Sequence, residues 1–167
     1  MRKLLVFVFC ANLLLWAVSL HLLPDRVAVH FGQGGTPDSW ASKQGNALLF
    51  LLLEVPLFVF FYFAPGLALR VPEKYLSLPK KRYWLQEENR PELKKRLASK
   101  MGEFGSVFFL FLFGVGLLTI QANLADPVRL DESLFLVVFV AFMAYTVVWC
   151  VEFIRAFRPP KHPPPGA

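Results

Sequence analysis

One long apolar stretch decides the fold class of this chain: residues 104–124 read FGSVFFLFLFGVGLLTIQANL. The stretch contains no Asp, Glu, Lys or Arg. About 20 helical residues, at a rise of about 1.5 Å each, cross the ~30 Å hydrocarbon core of a bilayer. Because lipid cannot hydrogen-bond to the backbone, such a segment has to satisfy its own polar groups as a helix. The stretch therefore predicts a membrane-spanning helix.

Three further apolar blocks of similar length accompany it, at about residues 4–23, 46–69 and 133–153. Hydrophobic residues make up 56% of the chain and charged residues 18%. Soluble domains lie nearer about 45–50% and about 25%. We therefore predict an all-α membrane protein with four transmembrane helices, forming a single domain over residues 1–158. The Pro-rich tail, residues 159–167, is predicted to be disordered.

The first block has an alternative interpretation as a signal peptide. It has a basic start, an apolar run and a possible cleavage site at residues 17–19. The apolar run continues through Leu23, which is long for a signal peptide. We therefore expect a retained transmembrane helix.

The positions of the Lys and Arg residues predict the orientation. Ten of the 18 lie between Arg70 and Lys100, and most of the others lie near the two termini. Residues 24–45 and 124–132 are balanced or acidic. Since cytoplasmic loops carry excess Lys and Arg, both termini and the central loop are predicted to be cytoplasmic. The net charge of +6 thus indicates topology and contact with lipid headgroups, and no nucleic-acid partner is predicted.

Residues 90–104 predict a cytoplasmic amphipathic helix, with Leu93, Leu97, Met101 and Phe104 forming one apolar stripe. We expect this helix to lie along the inner headgroup layer before the chain turns into the third span. An aromatic anchor is predicted just before it, including residues 75–79. The candidate residues of this cytoplasmic interface are Tyr83, Trp84, Arg90 and Lys94. Docking of a cytoplasmic protein is the alternative role.

The predicted outer loop is the most distinctive segment: residues 23–43 read LPDRVAVHFGQGGTPDSWASK. Alternation around Val27, Val29 and Phe31 predicts a short strand, followed by a glycine turn and a second turn beginning at Pro37-Asp38. His30 and Asp38 could meet across the turn, either as a structural hydrogen bond or as part of a binding site. Two ligands are too few to predict a metal site. The candidate ligand- or partner-binding residues are His30, Phe31, Asp38, Trp40 and Lys43.

Glu54 lies inside the second span, where an ionised carboxylate is costly. It should face other helices, pair with a partner or stay protonated. Counting residues inward from the outer side places Asn12, and Tyr145 or Thr146, a few ångströms deeper than Glu54. We therefore predict an intramembrane polar cluster of Glu54, Asn12 and Tyr145, serving either as packing or as a protonation or ion-binding element.

No familiar catalytic constellation is present. The sequence has no GxSxG, HExxH or Walker motif, and its three histidines lie far apart. We therefore predict no enzymatic activity, no catalytic residues and no cofactor.

The outer segment resembles the bacterial membrane domain of unknown function found at the N-terminus of immunity proteins against the sporulation-delaying toxin. The matching residues are Leu23-Pro24, Val29-His30-Phe31, Gly35, Pro37-Asp38, Trp40 and Ser42-Lys43. The resemblance implies a short four-span member of that family in the bacterial cytoplasmic membrane, within the cell envelope. Those immunity proteins carry further spans, whereas this chain has four.

The favoured interpretation is a multi-pass protein that binds or senses an extracytoplasmic peptide or another partner protein through residues 23–43. The resemblance adds protection against membrane-active peptides as an expectation. The alternative is a small transporter or ion-coupled subunit that uses Glu54. Because four spans would form a pathway only as an oligomer, that alternative requires a homo-oligomer.

Overall fold

The computed structural model describes residues 1–70, 72 and 78–158. The predicted Pro-rich tail and most of the predicted anchor at 75–79 lie outside the described residues. The helices are α1 (Arg2–Leu22), α2 (Lys43–Leu67), α3 (Lys81–Trp84), α4 (Arg90–Leu124) and α5 (Glu132–Ala156). The strands are β1 (Arg26–Phe31) and β2 (Pro37–Ser42). Short 3-10 turns occupy Gln33–Gly35, Ala68–Arg70 and Glu87–Asn89.

Four of these helices, α1, α2, α4 and α5, are long and apolar enough to cross a membrane. Two of them begin at side-chain caps. Ser42 Oγ accepts a hydrogen bond from the Gly45 amide, and Asp131 Oδ1 accepts one from the Leu134 amide. Such caps satisfy amides that the first helical turn leaves without partners. The prediction of an all-α, multi-pass membrane protein is confirmed.

Helices α1, α2 and α4 form the packed core of the bundle. Its buried side chains are Leu5, Val8, Phe9, Phe61, Phe109 and Leu112. Glycines on α4 allow this close approach, because a Cβ atom at Gly116 would lie 2.8 Å from the Leu15 side chain. Helix α5 instead packs along α4, for example where Phe142 stacks on Phe111 with ring centroids 4.5 Å apart. No residue of α5 is fully buried.

The connecting segments gather at two opposite ends of the bundle. At the hairpin end, formed by residues 24–45 and 124–132, the Leu130 amide donates to the Gly35 carbonyl at 2.9 Å. At the basic end, formed by the N-terminus, the segment 78–100 and residues 155–158, Trp84 Nε1 donates to the Phe157 carbonyl at 2.8 Å. This grouping agrees with the predicted threading. Which end faces the cytoplasm remains a prediction from charge.

The predicted interfacial helix requires a correction. Residues 90–104 do not turn along the membrane surface, because they form one continuous helix with the third span. The 35 residues of α4 are about 52 Å long at 1.5 Å per residue, well beyond a ~30 Å hydrocarbon core. Leu93 and Leu97 are buried against Trp84 and Phe157, so the apolar stripe is covered by protein rather than by lipid.

Candidate functional site

The outer segment folds as a two-stranded antiparallel hairpin. Arg26 pairs with Ser42 at its base, and Phe31 pairs with Pro37 near its tip. Gly34 and Gly35 form the turn with φ values of 72° and 73°, a left-handed conformation that only glycine adopts readily. The predicted strand and glycine turn are present. The predicted second turn at Pro37-Asp38 is wrong, since these residues begin β2.

His30 and Asp38 meet as the sequence suggested. The His30 Nδ1 and Asp38 Oδ1 atoms are 2.6 Å apart, and the two side chains are 70% and 52% exposed. The Asp38 carboxylate also borders Gly32, where an added Cβ would lie 3.1 Å from Oδ2. The pair is thus an open, polar feature close to the hairpin tip and accessible to a partner.

A side chain that the sequence analysis did not select fastens the hairpin to the bundle. Asn123, at the end of α4, accepts a hydrogen bond from the Ala28 amide at 2.6 Å. Its Nδ2 atom donates to the Ala28 carbonyl at 3.0 Å. Asn123 is only 5% exposed and Ala28 is fully buried. A polar residue at the end of an apolar block is the only sequence signal that could have indicated this role.

The loop between α4 and α5 holds the hairpin turn from its other side. Arg129 Nε donates to the Gly34 carbonyl at 2.8 Å, and Glu132 Oε2 accepts from the Gly34 amide at 3.1 Å. Gly35 packs so closely against the Leu130 carbonyl that a Cβ atom would collide with it. The hairpin is therefore fixed by both neighbouring segments.

A pocket of about 390 Å³ lies between the hairpin and the helices beneath it. Its walls come from β1, the glycine turn, α2, α4, the α4–α5 loop and the start of α5. The apolar lining side chains are Val29, Phe31, Phe50, Val115, Leu130 and Phe135. The polar side chains are His30, Thr119 and Glu132. An apolar interior with a few polar side chains is typical of small-ligand and side-chain pockets.

The other predicted binding residues divide into two kinds. Phe31 lines the pocket, and Trp40 is 39% exposed with the Arg26 guanidinium 5.8 Å from its ring centroid. The Lys43 ammonium group instead has partners within the protein. Its Nζ atom lies 3.1 Å from Asp25 Oδ1 and donates to the Leu23 carbonyl at 3.3 Å. Its ammonium group closes the hairpin base, so we reassign Lys43 to a structural role.

The predicted intramembrane cluster is only partly assembled. Glu54 and Asn12 are both fully buried within the α1–α2–α4 core. Glu54 Oε1 accepts a hydrogen bond from Trp16 Nε1 at 3.0 Å, a partner the sequence analysis missed. Tyr145 does not join them, because α5 packs along α4, and its ring stacks beside Phe104. The three-residue cluster is therefore wrong.

Trp84, at the basic end, is also placed differently from the prediction. It is 1% exposed, and the Arg96 guanidinium lies 4.9 Å from its ring centroid. It therefore cannot act as an anchor in the headgroup layer. The same Arg96 donates to Glu92 Oε1 at 2.8 Å, and this hydrogen bond lowers the pKa of Glu92.

The remaining candidates at the basic end keep some accessible surface. Tyr83 is partly buried, Lys94 is exposed, and Arg90 is exposed while donating to the Leu85 carbonyl at 3.1 Å. Lys94 is therefore the best placed of the predicted residues to contact lipid headgroups or a cytoplasmic protein.

Among known proteins, a family model described as Domain of unknown function (DUF1648) matches residues 7–55. The match covers less than a third of the 167 residues but includes most of α1, the whole hairpin and the first half of α2. It therefore contains both Trp16 and Glu54. No curated protein and no solved structure matches the chain.

Proposed function

We propose that this protein binds a membrane-active peptide at the hairpin end and thereby protects the cell, as immunity proteins do. The observation that carries the proposal is the pocket beneath the hairpin. Its walls come from both loops of that end, and the exposed His30–Asp38 pair lies beside it. The resemblance of residues 23–43 to the toxin-immunity family supports the same proposal.

The charge distribution supports an outward-facing hairpin. Among the described residues, the basic end carries twelve Lys and Arg against three Glu. The hairpin end carries three Lys and Arg against five Asp and Glu. By the positive-inside rule, the hairpin end then faces away from the cytoplasm of the bacterial inner membrane.

Cysteine labelling tests this orientation. In a variant with Cys10 and Cys150 replaced by Ala, single cysteines at Gln33 and Lys94 are treated with a membrane-impermeant maleimide on intact cells. We expect labelling at Gln33 alone. Labelling of both positions from the same side would contradict the proposed threading.

The chemistry of the hairpin end suits a cationic, amphipathic peptide. Its acidic excess attracts positive charge, and the pocket can accept an aliphatic or aromatic side chain. Membrane-active helices combine these two features, with Lys and Arg on one face and large apolar residues on the other. A rigid hairpin with both its ends tied to the bundle reduces the entropy that binding would cost.

A challenge experiment tests the proposal. Cells lacking this chain are exposed to a synthetic amphipathic Lys/Leu peptide and complemented with wild type, His30→Ala, Asp38→Ala or Trp40→Ala. We expect wild type to restore growth and the three variants to lose much of that protection. Lys94→Ala, at the opposite end, is the matched control and should protect fully. Full rescue by all three hairpin variants would refute the proposal.

The ion-coupled alternative has one observation in its favour, the fully buried carboxyl of Glu54 in the bundle core. A pathway would form between copies of the chain, so this function requires an oligomer. Proton and sodium flux into proteoliposomes, measured with wild type and Glu54→Gln, tests it. Flux lost in Glu54→Gln would favour transport, whereas a monomer without flux would exclude it.

A further inference from the structure

Glu54 lies at the same level of the bundle as Asn12. Two stacked aromatic pairs between α1 and α2 fix this level, one on each side of Glu54 along α2. The pairs are Phe50 on Trp16, with centroids 3.9 Å apart, and Phe58 on Phe9, with centroids 4.1 Å apart. Along α2, Glu54 lies midway between Phe50 and Phe58. Along α1, the midpoint between Phe9 and Trp16 falls at Asn12 and Leu13. The two polar side chains therefore occupy one layer.

Each of these side chains has one buried oxygen without a partner among the described residues, Glu54 Oε2 and Asn12 Oδ1. The remaining polar atoms of the two side chains already have hydrogen-bond partners. Glu54 Oε1 accepts from Trp16, while Asn12 Nδ2 donates to the carbonyls of Phe109 and Val8, each at 2.9 Å. Both unpartnered atoms are acceptors, so neither can satisfy the other as long as Glu54 is ionised.

The surroundings offer no counter-charge. The faces of α1 and α4 packed here carry Asn12, Trp16, Phe109 and Gly116, none of which is charged. No described ion pair includes Glu54. A metal cation would need several more oxygen ligands than the two unpartnered ones. A single proton needs only the two unpartnered oxygens, because protonation turns one carboxyl oxygen into a donor and the other oxygen can accept from it.

We propose that Glu54 and Asn12 form an intramembrane proton-binding site, in which protonated Glu54 Oε2 donates a hydrogen bond to Asn12 Oδ1. The proton comes from solvent, and only the O–H bond forms. Every buried polar atom of the layer then has a partner, and no net charge remains in the apolar core. This site depends on the bundle alone and does not require peptide binding at the hairpin.

Infrared difference spectroscopy in lipid tests the site directly. Wild type at neutral pH should show the carbonyl stretch of a protonated carboxylic acid, above the amide I band and shifted by D₂O. The band should disappear in Glu54→Gln and move to higher frequency in Asn12→Ala, which removes the acceptor. Glu152→Gln is the control, because Glu152 is half exposed and bonded to Lys100 at 2.9 Å. The Glu152→Gln variant should leave the carbonyl band unchanged.

Two results would overturn the proposal. The first is a wild-type spectrum without a band that Glu54→Gln removes, since Glu54 would then be ionised. The second is a band that Asn12→Ala leaves in place, since the partner would then be wrong. Thermal unfolding in detergent provides a second measurement. Gln imitates the neutral carboxyl and still accepts from Trp16, so Glu54→Gln should melt at the wild-type temperature, and a large loss would indicate a required negative charge.

Discussion

Replacing Asn123 with Ala should release the hairpin from the bundle while leaving the four helices folded. The Asn123 side chain supplies both hydrogen bonds to the buried backbone of Ala28, at 2.6 and 3.0 Å. Alanine cannot make either of them, and among the described residues no other side chain hydrogen-bonds to those two atoms. The variant therefore leaves a backbone donor and a backbone acceptor without partners in an apolar layer.

The expected loss of hairpin stability follows from the two backbone groups of Ala28 that lose their hydrogen-bond partners. A buried polar group without a hydrogen bond costs about 1–3 kcal/mol, so two would cost about 2–6 kcal/mol if the hairpin stayed closed. The hairpin can instead open locally, so that water hydrates both groups. This limits the measurable loss of stability to the lower end of that range. A loss of about 2 kcal/mol corresponds to a roughly 30-fold increase in the open population.

Hydrogen–deuterium exchange of the protein in nanodiscs measures this opening. Peptides covering residues 26–42 should exchange roughly 30-fold faster in Asn123→Ala, with protection of α1, α2 and α5 unchanged. Gln121→Ala is the matched control, because Gln121 is exposed on the same helical turn. Unchanged hairpin exchange in Asn123→Ala would refute the reasoning, as would an equal increase in both variants.

Two further predictions concern the turn and the basic end. Gly35→Ala should destabilise the hairpin more than Gly34→Ala in the same exchange experiment. Both substitutions force alanine to a positive φ, at a cost of about 1–2 kcal/mol. Only at position 35 does the added Cβ atom also collide with a backbone carbonyl, that of Leu130. Equal effects would contradict the collision. Trp84→Phe should lower thermal stability in detergent by about 1 kcal/mol or more, because the buried Phe157 carbonyl loses its donor. Tyr83→Phe should melt like wild type, and a comparable loss there would argue against the hydrogen bond as the cause.

The helices were predictable because the bilayer imposes a simple length requirement. The apolar blocks of about 20 residues match α1, α2, α5 and the second half of α4 to within a few residues. The exception is residues 90–104, where the sequence predicts that lipid covers the amphipathic stripe. The stripe looks the same in sequence whether lipid or protein covers it, and the covering residues, Trp84 and Phe157, are distant along the chain.

The candidate sites were predictable only in part. His30 and Asp38 are eight residues apart across a glycine turn, so their contact is local and readable from sequence. Asn123 pairs with a residue 95 positions away, and Trp16 pairs with Glu54 at a separation of 38. Such partners depend on which helices pack together, which hydropathy does not specify.

The sequence by itself determined that this is a membrane protein with four helices long enough to span, where α1, α2 and α5 begin and end to within a few residues, and which pairs of loops share an end. These features follow from hydrophobicity, charge and turn residues that act over short distances. Tertiary structure decided which polar side chains meet, what lies beneath the hairpin and which aromatic residues are covered. In an apolar bundle a polar group must find a specific partner, and helix packing selects that partner.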